Sequence, residues 1–341
     1  MLRFRRWSMA ERENFTVPSS DGHSRLFGTL WKPEGQPSMV LQIAHGMLEH
    51  MGCYDEFASW LADHGILVAG HDHLGHGRTA EDPSQLGVFA AKVPPSDRRC
   101  QLRDAKCAAA VSEKDGTVFL IRDLNRVRTV LSRRYVGIPY FMMGHSMGSF
   151  MLRRYLTAFG DGICGAVLMG TGNQPKAAVM AGLALAGGAS ALFGPRSRSS
   201  TVERAWKQAF NRRFCPLRTS MDWLSTDEEQ VDRYLVDPLC NFQFSSSAYR
   251  DLLRMVYDSE DIRLARRIPK DLPILLVSGD QDPVGEEGRG VLRAEALLRR
   301  AGVRQVETKL YPGCRHELVI EKNRLQVAGD ILAWMESCRT S

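Results

Sequence analysis

The residues most suited to chemistry centre on Gly144-His145-Ser146-Met147-Gly148, a serine with a glycine two residues away on either side. A serine on a sharp strand-to-helix turn needs neighbours with almost no side chain, and Gly144 and Gly148 supply them. The turn aims the Ser146 hydroxyl at the positive end of the following helix, where developing negative charge is stabilised. A lone serine is a weak nucleophile and needs a base. Of nine histidines only His316 follows Ser146, in the chain order Ser, acid, His of hydrolases built on an elbow of this type. It sits in the loop Tyr311-Pro312-Gly313-Cys314-Arg315-His316, a position suited to a mobile imidazole.

The acid that orients such a histidine should follow the strand between them. Gly279-Asp280-Gln281-Asp282-Pro283 offers two carboxylates. Asp282, further into the turn, is favoured over Asp280, whose alternative is to bond its own loop amides. An oxyanion hole needs two N–H donors. The residue after the nucleophile, Met147, supplies one. Met47, after His45-Gly46, is expected to supply the other, because Gly46 lets backbone approach substrate closely.

The elements that hold these residues alternate. A hairpin is expected across Phe15 to Trp31 around Asp21-Gly22, followed by the apolar strand Met39 to Ala44, a helix from Tyr54 to His64 and a strand from Ile66 to Gly70. Residues 93–115 read as an inserted polar excursion before a helix from Thr117 to Tyr135. The elbow strand, its helix through Phe159, and the strand Gly165 to Gly170 come next. The rhythm stops between Thr171 and Asp261, where helices and loops are expected, and resumes with a strand at Pro273 to Gly279, a helix at Gly288 to Ala301 and a strand at Val306 to Tyr311. The final helix should pack on the sheet through Leu325, Ile331, Leu332 and Trp334. This pattern implies an α/β fold, a mostly parallel doubly wound sheet with an inserted helical cap. The expected division is 1–171 for the first part of the core, 172–256 for the cap and 257–341 for the rest of the core.

Composition narrows the class. The chain has 341 residues, 44% of them hydrophobic, enough for a large core. Its net charge of +6 is dispersed, and no nucleic-acid motif is present, so no nucleic-acid partner is expected. Eight cysteines without a C-x-x-C pair fit free thiols in a reducing, cytoplasmic setting. The basic N-terminus lacks an apolar h-region. His71-x-His73-x-x-His76 superficially resembles a metal-binding histidine motif, but Gly75 stands where that motif expects an aspartate. Neither metal nor cofactor is expected.

Four motifs in order carry a family resemblance: Ala44-His45-Gly46-Met47-Leu48-Glu49-His50 with Tyr54, Asp72-His73-Leu74-Gly75-His76-Gly77, Gly144-His145-Ser146-Met147-Gly148, and Gly279-Asp280-Gln281-Asp282 with the His316 loop. The chain resembles the α/β-hydrolase superfamily and, within it, the monoacylglycerol lipase and lysophospholipase-like branch, which includes serine aminopeptidase-type hydrolases. The likeness spans residues 10 to 338 and departs from the family at 93–115. It implies Ser146 as nucleophile, Asp282 and His316 as its partners, and Met47 and Met147 as oxyanion donors.

The expected activity is carboxylic ester hydrolysis through an acyl-enzyme, on a small-molecule acyl ester or lipid such as a monoacylglycerol or lysophospholipid. Aminopeptidase-type amide hydrolysis is the alternative, and Thr226 to Asp232 offers carboxylates that would hold a substrate amine, or simply an acidic helix start. A non-catalytic ligand-binding protein of the same fold is the third reading. The apolar stretch Val179 to Phe193 suits an acyl chain or ordinary helix packing. The seven basic residues between Pro195 and Arg218, against one acid, Glu203, suit either transient contact of the cap with an anionic membrane surface or pairing with the acidic 227–237 segment.

Overall fold

The computed structural model describes residues 10–89 and 116–339; the excursion expected at 93–115 lies outside the described residues. Among the described residues eight strands form one sheet: β1 (Glu11–Pro18), β2 (Arg25–Lys32), β3 (Met39–Ala44), β4 (Ile66–His71), β5 (Tyr140–His145), β6 (Gly165–Met169), β7 (Ile274–Gly279) and β8 (Val306–Tyr311). Their order is β1-β2-β4-β3-β5-β6-β7-β8. The expected hairpin pairs antiparallel from Glu11 opposite Lys32 to Pro18 opposite Arg25. At its turn the Asp21 carboxylate accepts the His23 and Ser24 amides, and Gly22 takes the positive φ.

β3 to β7 are buried along their whole length, as strands covered on both faces must be. Alternate residues therefore enter two different cores. Val40, Met142, Leu168 and Leu276 face one side, while Leu41, Phe141, Val167 and Val277 face the other. The first side is covered by α2 (Thr117–Arg134) and α3 (Met147–Phe159), the second by α1 (Asp55–Asp63) and α10 (Arg324–Arg339). Gln42 is the polar exception in β3, and it is satisfied: its amide donates to the Leu124 carbonyl at 3.1 Å and its oxygen accepts from the Tyr140 hydroxyl at 2.6 Å.

The last helix departs from expectation at one residue. Val327, Ala328, Ile331, Leu332, Trp334 and Met335 are buried, but Leu325 is 44% exposed. At 100° per residue Leu325 falls about 100° from the centre of that stripe.

Parallel register brings the carboxyl ends of neighbouring strands level. Ala44 lies opposite Gly144, His145 opposite Met169, Met169 opposite Val277, and Gly279 opposite Tyr311. The segments after β3, β5, β7 and β8 thus leave the sheet at one edge, where sites form in this architecture. Above that edge lies the helical segment between β6 and β7: α4 (Lys176–Phe193), α5 (Ser200–Asn211), α6 (Glu228–Val236) and α7 (Ser246–Ser259), followed by the short α8 (Ile262–Ala265). Ser199, Asp227 and Ser245 cap α5, α6 and α7 by accepting amides of their first turns. α7 passes unbroken through residue 256, where the cap was expected to end. Between β7 and β8 in the chain, α9 (Arg289–Arg300) packs against both strands.

Candidate active site

Ser146 follows the last residue of β5 and precedes α3, with φ 51° and ψ −119°, a region that L-residues rarely occupy. Its amide donates to the Met169 carbonyl at 3.0 Å, and its carbonyl accepts the Ser149 amide at 2.9 Å. A β-carbon at Gly148 would collide with the carbonyl oxygens of Ala44 and His45, and one at Gly144 with the Gly148 carbonyl. Both glycines are therefore sterically required by the turn that displays Ser146.

His316 is fully buried. Its Nδ1 lies 2.9 Å from Asp282 Oδ1, while its Nε2 has no hydrogen-bond partner among the described residues. Asp282 is fixed from three sides, because Oδ1 also accepts the Val284 amide and Oδ2 accepts the Ser278 hydroxyl, each at 2.8 Å. Burial pushes this carboxyl up, but the neighbouring imidazole and the three donors outweigh it and hold Asp282 below the usual carboxylate range. The His316 ring lies between Trp223, with centroids 4.8 Å apart, and His145, at 4.9 Å. Gly170 leaves space for both imidazoles, which a β-carbon there would approach to 3.0 and 3.2 Å.

Asp280 does something else than expected. Its Oδ1 accepts the Gly313 amide at 2.8 Å, so it ties the β7 loop to the loop carrying His316 rather than bonding its own amides alone. Met147 begins α3, and Met47 lies directly after Gly46; both line the same cavity as Ser146 and His316. Sequence reasoning gave Glu49 no role, yet it organises this corner. Its Oε2 accepts the Gly46 amide at 2.9 Å and the Tyr54 hydroxyl at 2.6 Å, and Oε1 lies 2.9 Å from His145 Nδ1. The last contact is a buried ion pair. Burial opposes both charges, but their mutual attraction prevails, holding Glu49 down at about 2 and raising His145 to about 9. Burial, followed by the Glu49 charge, pushes Glu317, beside the pair, well above the usual carboxyl range. The signal for Glu49 was its spacing, three residues after Gly46.

The histidines at 71, 73 and 76 form a buried aromatic group with His45. His45 and His73 stack at 3.9 Å, and the His73 amide donates to His45 Nε2 at 2.9 Å. Desolvation lowers all four below the ordinary imidazole range, which suits neutral packing of this loop.

The cavity over Ser146 has a volume of about 300 Å³, and much of its apolar wall comes from Val179, Gly182, Leu185, Trp206, Tyr249 and Leu253 of the cap. Glu49 is its one carboxylate among the described residues. Asp227, Glu228, Glu229 and Asp232 do not line it; Asp227 caps α6, and Arg218 pairs with Asp232 at 2.6 Å and with Glu228 at 3.8 Å. α4 presents Val179 and Leu185 to the cavity while leaving Met180, Leu192 and Phe193 exposed. Cys314 is buried, its thiol 3.2 Å from Asn323 Oδ1, and burial pushes it up to about 11, so it is a poor nucleophile.

The family described as serine aminopeptidase, S33, matches residues 35–323. A monoacylglycerol lipase of Mycolicibacterium smegmatis is 24% identical across 93% of this chain and 94% of its own length. A monoglyceride lipase of Homo sapiens is 27% identical across 86% of this chain and 80% of its own. The crystal structure of a thermostable carboxyl esterase from Bacillus coagulans, in complex with glycerol, superposes with a TM-score of 0.83 at 26% identity, covering 97% of this chain and 99% of that one.

Proposed function

The chain belongs to the serine aminopeptidase S33 family and is a carboxylic ester hydrolase of the α/β-hydrolase fold, and from that premise we propose that it hydrolyses monoacylglycerols through an acyl-enzyme on Ser146. The observation that carries this reading is the state of His316: Nδ1 is held by Asp282, and Nε2 is buried without a partner in the cavity that Ser146 lines. A buried nitrogen left unpaired costs stability, and a role in the reaction accounts for that cost being retained. In the proposed sequence Nε2 accepts the Ser146 proton as Oγ attacks the ester carbonyl. Asp282 stabilises the imidazolium, and the Met47 and Met147 amides bind the oxyanion. The glycerol leaves with that proton. Water, deprotonated by Nε2, then releases the fatty acid and restores Ser146.

The apolar cap wall supports an acyl chain as the group bound, and the names of the relatives support glycerol as the leaving alcohol. Lysophospholipids fit the same chemistry. The aminopeptidase reading needs a carboxylate to hold the substrate amine, and the acids proposed for it at 227–232 are used elsewhere. The exposed apolar residues of α4 support a lipid surface as the place where substrate is taken up, since Leu185 is both half-exposed and part of the cavity wall. A panel of monoacylglycerols, lysophospholipids and aminoacyl amides, run beside Ser146→Ala, tests the proposal. Monoacylglycerols should be turned over fastest, and Ser146→Ala should remove nearly all turnover. Faster cleavage of aminoacyl amides would overturn the substrate, and near-full activity of the variant would overturn the mechanism.

A further inference from the structure

A second cluster of reactive side chains lies outside the cavity, where the loop after β3 meets the cap. His50 caps the short 3-10 turn Met51–Tyr54, which carries Cys53. Cys240 follows α6, and Asp237 stands at the C-terminal end of that helix. The Cys53 and Cys240 sulfurs lie 3.6 Å apart. One imidazole nitrogen of His50 and the two sulfurs all lie within 4.8 Å of one another. Two loops far apart in sequence therefore converge two soft donors and a borderline one on a single point.

We propose that Cys53, Cys240 and His50 form a binding site for a thiophilic divalent cation, zinc above all, which staples the loop after β3 to the cap. Two thiolates bound at ~2.3 Å to one tetrahedral zinc are about 3.8 Å apart, close to the separation already present, so little movement is needed to seat the ion. His50 Nε2 is 3.0 Å from Asp237 Oδ2, the carboxylate-to-histidine contact that orients metal-binding imidazoles. Its Nδ1 accepts the Gly52 amide hydrogen at 3.1 Å, so it carries the lone pair that binding requires, and the ion replaces that one hydrogen bond. Zinc displaces a proton from each thiol to solvent, so that the ion, two thiolates and the neutral imidazole carry no net charge, with water in the fourth position. Gly52 beside it is exposed, which leaves a way in.

The position links the site to the reaction. His50 is three residues from Met47, and Tyr234 of α6, which lines the cavity, donates its hydroxyl to the Leu48 carbonyl at 3.0 Å. A bound ion adds a second, stronger tie between the same two segments and restrains the cap.

The test is a titration of the reduced, chelator-stripped full chain with zinc against a competing chromophoric chelator, with cobalt as a spectroscopic probe. Wild type is expected to take up one equivalent and to show a thiolate-to-cobalt charge-transfer band. Cys53→Ser and Cys240→Ser should each lose that equivalent and the band, and Asp237→Asn should weaken binding roughly 10–100-fold. Cys215→Ser, which removes an exposed thiol elsewhere, should change neither. The cobalt spectrum of wild type keeps the test decisive if a variant folds poorly. No tight equivalent in wild type, an equivalent that survives both serine variants, or a Cys53–Cys240 disulfide whose reduced form takes no zinc would each overturn the proposal.

Discussion

The sheet edge and the cap face each other across one cavity but are built on opposite terms. At the sheet edge the two carboxylates of the site are buried and each held by several partners: Asp282 by Ser278, Val284 and His316, and Glu49 by the Gly46 amide, the Tyr54 hydroxyl and His145. In the cap, α4 buries only Val179, Ala186 and Ala189 of its eighteen residues, and its contribution to the cavity is apolar and shape-based. Directional bonds fix the reacting atoms within fractions of an ångström, whereas an apolar wall discriminates by size alone and tolerates change. The chemistry should therefore be fragile at the sheet edge, and the substrate range adjustable in the cap.

The largest expected effect separates two carboxylates on one loop. Asp282→Asn removes the charge that stabilises the imidazolium and the acceptor that sets the His316 tautomer, and should lower kcat by about 10⁴-fold. Asp280→Asn touches the Gly313 amide and the Gln281 side-chain amide, neither of them at the reacting atoms, and should cost about 1 kcal/mol of stability with kcat little changed. Steady-state kinetics of the two variants decide it, and equal losses would dissolve the distinction between them.

Next comes the cap. Leu185→Trp narrows the cavity from a position 43% exposed, where the fold can absorb it. It should lower kcat/KM for long-chain monoacylglycerols by about 10–200-fold while leaving short-chain esters unchanged. Parallel losses on both would mean that the wall also positions the ester.

A smaller effect concerns the Glu49–His145 pair. His145 is raised from 6.5 to about 9, so its contribution to stability is complete below 6.5 and is lost as pH rises through 9. Glu49 is lowered from 4.5 to about 2, so its contribution is complete above 4.5 and is lost as pH falls toward 2. Thermal stability of wild type should fall between pH 6.5 and 9, and Glu49→Gln should flatten that decline. Identical slopes would show that the pair is not ionised.

The smallest effect is expected at the outer face of α4. Leu192→Ser and Phe193→Ser, at residues 79% and 75% exposed, should shift stability by no more than about 0.5 kcal/mol while reducing co-sedimentation with lipid vesicles. Unchanged sedimentation would detach the cap from the proposed lipid surface.

The sheet was legible in the sequence because its strands are short apolar runs bounded by glycine and charge, and their level register follows from parallel pairing. Ser146 was legible because Gly144 and Gly148 answer a steric demand that acts within five residues. Asp280 was less so: both carboxylates satisfy the same local pattern, and only the approach of the Gly313 loop gives Asp280 its partner. Leu325 misled because an apolar residue near the stripe's edge looks the same in sequence as one at its centre.

By itself, then, the sequence determined what depends on near neighbours: the elbow at Ser146, the glycine before Met47, the alternation of strand and helix, and the order of Ser146, Asp282 and His316. Tertiary structure alone decided what depends on convergence across the chain. It set the partnerless Nε2 of His316 in the Ser146 cavity, placed Glu49 against His145, turned one face of α4 to the cavity and the other to solvent, and brought Cys53 to Cys240. These arise from packing between segments separated by about a hundred residues or more, where spacing in the chain carries no distance in space.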